Sequence, residues 1–86
     1  MNSKDIQEKV YNFCIEKGLD TPYGVLLSDG ASKSGKKFLR VTFCRPRTLD
    51  ATVEIYNRNF IVLKTSRGYN QLFRNLDELM IELEKL

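Results

Sequence analysis

ATVEIYNRNFIVLKTS, residues 51–66, holds two runs of alternating side chains separated by the polar triplet Asn57-Arg58-Asn59. Alternation with period two is the signature of a half-buried strand, because successive side chains leave opposite faces of the pleat. A three-residue connection places Val53 and Ile55 opposite Leu63 and Ile61 on one face, with Asn59 able to take a left-handed conformation. A two-residue loop would instead set Val53 and Ile55 beside Phe60 and Val62. The first register is preferred because it gathers the aliphatics, leaving Thr52, Glu54, Tyr56, Phe60, Val62 and Lys64 on the other face.

Upstream, Lys36 to Cys44 alternates in the same way, with Leu39, Val41 and Phe43 against Phe38, Arg40, Thr42 and Cys44. Arg45-Pro46-Arg47 breaks that strand, since proline has no N–H to give a ladder. Tyr23 to Ser28 reads as a further apolar strand, followed by a polar, glycine-bounded loop from Asp29 to Gly35. Arg67 to Asn70 reads as a turn.

Both ends of the chain have helical periodicity. Ile6, Val10, Phe13, Cys14 and Lys17 share one face of a helix over Ser3–Lys17. Asn2 or Ser3 can cap it, and Asp5 and Glu8 suit its positive end. Gly18 can take the left-handed closing conformation with Leu19 sealing the cap, and Thr21-Pro22 stops continuation. Near the other terminus Asn75 and Glu78 have the spacing of a capping box, ahead of the stripe Leu76, Leu79, Met80, Leu83 and Leu86. The expected fold is α+β in a single 1–86 domain. It has an N-terminal helix, a three- to four-stranded antiparallel sheet and a C-terminal helix, with both helices on one sheet face.

Charge follows this division. Residues 33–74 carry ten lysines and arginines against only Asp50 and Glu54, whereas both terminal segments are net acidic. A cationic sheet carried by acidic helices points to an anionic partner, most commonly nucleic acid. The face away from the helices is expected to display Phe38, Arg40, Thr42, Cys44, Tyr56, Phe60, Val62 and Lys64. Aromatics interleaved with cations are the means by which single-stranded nucleic acid is held, through base stacking and phosphate contact. The candidate nucleic-acid-binding residues are Lys33, Lys36, Lys37, Phe38, Arg40, Arg45, Arg47, Tyr56, Arg58, Phe60, Lys64, Arg67 and Arg74. The same face is also suited to a homodimer contact, or to a protein target docked by an inhibitor or adaptor.

Other chemistries find little support. Gly30 to Lys36 fills the first seven positions of a phosphate-binding P-loop, but Lys37 stands where Ser or Thr must hold magnesium. Lys36, Phe38, Val41 and Phe43 agree with the first signature of RNA-recognition motifs, while a helix-first chain does not have their βαββαβ order. There is no histidine in the chain, so the commonest general base and metal ligand is missing. No catalytic residue, metal site or cofactor is expected. Cys14 and Cys44 have no zinc or CxxC spacing and read as free thiols. Met1 to Lys9 is polar and unlike a signal peptide, and no apolar stretch approaches membrane-spanning length. The expectation is a soluble cytoplasmic protein.

In size, basic character and Asn/Lys/Ile-rich composition, the chain resembles small accessory proteins of T4-like bacteriophages. One group it looks like is the toxin inhibitory factor proteins, through the whole 86-residue span, the Lys33–Lys37 cluster and the series Arg58, Lys64, Arg67 and Arg74. That resemblance implies RNA in preference to DNA, a host protein target and the host cytoplasm.

Overall fold

The computed structural model describes residues 2–19, 21, 23–45, 49–66 and 68–85, without the side chains of Arg45 and Leu49. The expectations at Pro22, Pro46, Arg47, Arg67 and Leu86 lie outside the described residues. Helix α1 spans Ser3–Glu16 and α2 spans Leu76–Glu84. Between them run β1 (Leu26–Ala31), β2 (Lys37–Arg45), β3 (Leu49–Asn57), β4 (Phe60–Thr65) and β5 (Asn70–Phe73). The strands pair antiparallel in chain order, so the sheet is a five-stranded meander with β1 and β5 as its edges.

The helix ends follow local chemistry. Asn2 Oδ1 accepts from the Asp5 amide at 2.9 Å, and Asp5 Oδ2 accepts from the Asn2 amide at 3.2 Å, a complete capping box. At the far end Gly18 has φ 68°, and the Leu19 and Gly18 amides donate back to the Cys14 and Ile15 carbonyls. This is the paired closure that a left-handed residue permits, and Leu19 is buried beneath it. In α2 the Asn75 side chain accepts from the Glu78 amide, whereas the Glu78 carboxylate takes the Arg74 amide at 3.2 Å. The reciprocal arm of the box has therefore moved one residue upstream.

Register decides the two faces. Val41, Val53 and Leu63 align across the sheet, as do Leu39, Ile55 and Ile61. All of these except the partly buried Leu39 join Phe43, Ala51 and Phe73 in one buried cluster with Ile6, Val10 and Cys14 of α1 and Leu79 and Leu83 of α2. Helix α1 lies over β2 and β3, and α2 over β4 and β5, on the same side of the sheet. Gln7 is buried under α1 and donates from Nε2 to the Ser28 and Arg40 carbonyls at 3.3 and 3.1 Å, tying the helix to β1 and β2.

The β3–β4 hairpin combines both loop lengths considered from sequence. Asn57 pairs with Phe60 around a two-residue turn, and the register then shifts so that Ile55 pairs with Ile61. Tyr56 is the extra residue of a β-bulge. The bulge supplies the offset that puts all four aliphatics on the core side.

Two features depart from the sequence reading. The first strand lies at Leu26–Ala31 rather than Tyr23–Ser28, because Thr21 and Gly24 exchange backbone hydrogen bonds in a tight turn that leaves Tyr23 in solvent. Asp29, Gly30 and Ala31 are drawn out of the expected loop by pairing with Leu39, Phe38 and Lys37. The other departure is β5, which makes five strands instead of three or four. Its four residues, Asn-Gln-Leu-Phe, are too short and too polar to alternate visibly, and only Phe73 reaches the core.

Gly30 allows the close approach that organises this end of β1. A Cβ at that position would stand 2.8 Å from Phe38 Cζ, inside van der Waals contact. Arg40 and Tyr56 also bound the Phe38 ring, which limits its room to move. Gly30→Ala should therefore destabilise the domain by about 1–3 kcal/mol, read as a lowered urea midpoint at unchanged slope. An unshifted midpoint would mean that the ring moves aside freely.

Candidate nucleic-acid interface

The face turned away from the helices carries cross-strand rows. One runs Ser28, Arg40, Glu54, Val62 and Leu72, and the next runs Leu26, Thr42, Thr52, Lys64 and Asn70. At the end of the sheet where the β1–β2 and β3–β4 turns lie, Phe38, Tyr56 and Phe60 form an aromatic row. The Phe38 and Tyr56 centroids are 5.1 Å apart and tilted, and Tyr56 and Phe60 meet edge-on at 4.9 Å. The Arg40 guanidinium sits 5.1 Å over the Phe38 ring.

These aromatics are not equally available. Phe38 was expected as an exposed stacking ring, yet it is only 6% exposed, closed in by Gly30, Arg40 and Tyr56. Tyr56 is half-buried, and Phe60, 40% exposed at the turn, presents the most ring surface. Phe38 thus serves as the base on which Tyr56 and Arg40 rest.

The sequence reading gave Glu54 no functional part, but the structure puts it at the centre of this face. It is 6% exposed, and its Oε1 lies 3.0 Å from Lys64 Nζ and 3.3 Å from the Tyr56 hydroxyl, which donates to it. Arg40 is its directly paired neighbour on β2. Burial, followed by the charge and hydrogen bond of Glu54, pushes the Tyr56 phenol above its ordinary value, while Lys64 and Arg40 work against the rise. An acid at an outward position opposite Arg40 and diagonal to Lys64 was the signal available in the sequence. Lys64 is thus paired with Glu54 on this face, and Arg40 lies over the Phe38 ring.

Cations with no ion pair among the described residues lie in or beside the turns. Lys33 and Lys36 are in the β1–β2 turn, Lys37 opens β2, Arg58 is in the β3–β4 turn and Arg74 follows β5. Antiparallel topology brings all five to the sheet end that carries the aromatic row, and all five are exposed. Arg45 ends β2 at the opposite end, towards which Lys64 also lies. The thirteen candidates therefore divide: Lys33, Lys36, Lys37, Phe38, Tyr56, Arg58, Phe60 and Arg74 come together, and Arg40 and Lys64 occupy the face behind them.

Cys14 and Cys44 are both free and lie on opposite sides of the sheet. Burial pushes the Cys14 thiol up to about 12. The Cys44 thiol donates to Asp50 Oδ1 at 3.0 Å, and this bond, more than burial or the aspartate charge, raises it as well. Neither is an activated thiolate. The glycine–lysine stretch ending at Lys36 leads into a strand, so its amides do not form the helix-borne phosphate cradle of a P-loop. Among the described residues no three Cys, Asp or Glu side chains are grouped to hold a metal ion. Among those residues, too, no helix is long and apolar enough to cross a membrane.

Comparison with protein families, with curated proteins and with solved structures finds no match for this chain.

Proposed function

We propose that this is a small non-enzymatic nucleic-acid-binding protein acting on single strands, RNA in preference to DNA. The observation that carries the reading is the convergence of Lys33, Lys36, Lys37, Arg58 and Arg74 on the sheet end that bears Tyr56 and Phe60. Exposed loop cations can follow a phosphate backbone, and Phe60 with the Tyr56 edge can stack unpaired bases, each stack contributing roughly 1–3 kcal/mol. Duplex DNA in contact with α2 is disfavoured by Asp77, Glu78, Glu82 and Glu84 on that helix.

Fluorescence anisotropy with matched single-stranded RNA, single-stranded DNA and duplex oligomers, titrated over several salt concentrations, tests it. The expected result is a Kd on the order of micromolar for single strands, weakening steeply with salt. Absence of binding to any of them at low salt would remove the reading.

A second reading is a protein-docking inhibitor or adaptor, and a different observation favours it. The centre of the free face has balanced charge and is bordered by exposed Leu26, Phe60 and Leu72, the last 53% exposed. Balanced charge with scattered apolar groups suits a protein surface, either a host target or a second copy of this chain. A complex that survives nuclease treatment would favour it.

A further inference from the structure

A cleft lies at the sheet end where the pairing of β2 with β3 stops. The β2–β3 ladder stops at Leu39 and Ile55, yet β1–β2 pairing continues to Ala31 and Lys37, and β3–β4 pairing continues to Asn57 and Phe60. The Tyr56 bulge turns the end of β3, and the two hairpins diverge around a cleft of about 500 Å³. Its lining is Ser3, residues 29–31 and 37–39, Ile55 and Tyr56. Leu39 and Ile55 share the core-side parity and form an apolar floor, while the outer edge of β2 at Phe38 has no β3 partner there. Ser3 Oγ donates to the Tyr56 carbonyl at 3.5 Å and ties the start of α1 to this wall.

Three properties narrow the occupant. The volume suits a nucleoside-sized group, within the roughly 300–1,000 Å³ typical of ligand pockets. The charged groups both come from the β1–β2 hairpin, with Asp29 opposite Leu39 and Lys37 opposite Ala31, one row apart with the same parity. Asp29 is exposed and makes no ion pair among the described residues, so it stands as an acceptor. The start of α1 is not an anion site, since Asn2 and Asp5 already cap it and Asp5 is negative. A phosphate would therefore turn towards Lys37, Lys36 and Lys33, and the ring of the ligand would enter the cleft.

We propose that this cleft holds one unpaired nucleobase, and that Asp29 makes guanine preferred over uracil; the inference rests on the nucleic-acid reading above. Guanine offers two parallel donors, N1–H and N2–H, to the two oxygens of a carboxylate. Uracil offers a single N–H flanked by carbonyl oxygens, which face a carboxylate unfavourably. The aromatic row lies at the same end of the sheet but on its outward face, so a strand that inserts one base in the cleft must pass round the sheet end to stack another on Phe60.

The test is an amide-resolved NMR titration of the whole protein with guanosine 5′-monophosphate and uridine 5′-monophosphate. It is run beside anisotropy with guanine-containing and all-uracil single-stranded RNA. The guanosine nucleotide should shift the amides of Gly30, Ala31, Phe38, Leu39 and Tyr56 and bind about ten-fold or more tighter than the uridine nucleotide. Asp29→Asn should remove that preference while the remaining spectrum is unchanged. Ala31→Trp, which fills the cleft from an exposed strand position, should abolish the nucleotide shifts and spare the salt-dependent binding of the all-uracil strand. Equal binding of the two nucleotides, or shifts that avoid these amides, would overturn the inference. Oligonucleotide binding without cleft shifts defeats the cleft and leaves the broader reading intact. Cleft shifts with guanosine nucleotide but no oligonucleotide binding defeat the broader reading and leave a free-nucleotide site.

Discussion

Phe43→Ala is expected to remove most of the stability of this domain. The ring is fully buried on the helix-facing surface, opposite Ala51, and belongs to the single core cluster that joins the sheet to both helices. Truncating such a ring forfeits its transfer free energy and leaves a cavity, together about 3–5 kcal/mol. A domain of this size has a total stability of only about 4–13 kcal/mol, so the loss approaches the whole at the lower end. The melting temperature should fall by roughly 15–30 °C, followed by far-UV circular dichroism. Phe60→Ala is the matched control, since the same side chain at the exposed turn should cost under about 1 kcal/mol. Similar losses for the two rings would mean that the core is not where the register places it.

The second large effect concerns binding. Replacing Lys33, Lys36, Lys37 and Arg58 together by alanine takes away four of the five turn cations and touches no buried side chain. Each cation withdrawn from a phosphate lowers the slope of log K against log salt by about 0.7 for a single strand, so the slope should fall by about 3. At low salt the affinity should drop by about two orders of magnitude or more, on the same principle of counterion release. Lys64→Ala is the informative contrast. Lys64 is engaged with Glu54 at 3.0 Å, so its replacement should alter the slope little. A quadruple variant with unchanged affinity would take the phosphate path away from this end of the sheet.

The two predictions separate what is local in this chain from what is not. Helix ends were legible from short spacings: Asn2 with Asp5, Gly18 with Leu19, Asn75 with Glu78. Capping involves residues within five positions of one another, so the sequence carries its whole cause. The hairpin register was legible for a related reason, because only one pairing puts Val53, Ile55, Ile61 and Leu63 on the same side. The bulge at Tyr56 that achieves it was not, since turn length and register looked like one choice when they were two.

The candidate site was legible as a set of cations and aromatics, and much less so as a surface. Which cations meet depends on strand order, and strand order places the β1–β2 and β3–β4 turns together and Arg45 at the other end. Phe38 has the outward parity of a stacking residue, but it is covered because Gly30, across the β1–β2 ladder, lets its ring lie down. Glu54 reads as one acid in a basic segment until Arg40, Tyr56 and Lys64 surround it.

The chain alone therefore dictates its helices, its alternating strands and the side on which the helices pack, because hydrophobic period and capping act over a few residues. Tertiary structure alone decides the fifth strand, the burial of Phe38, the balanced charge around Glu54 and the cleft between the hairpins. Each of these depends on pairing between residues distant in sequence, whose energies appear only when the sheet is assembled.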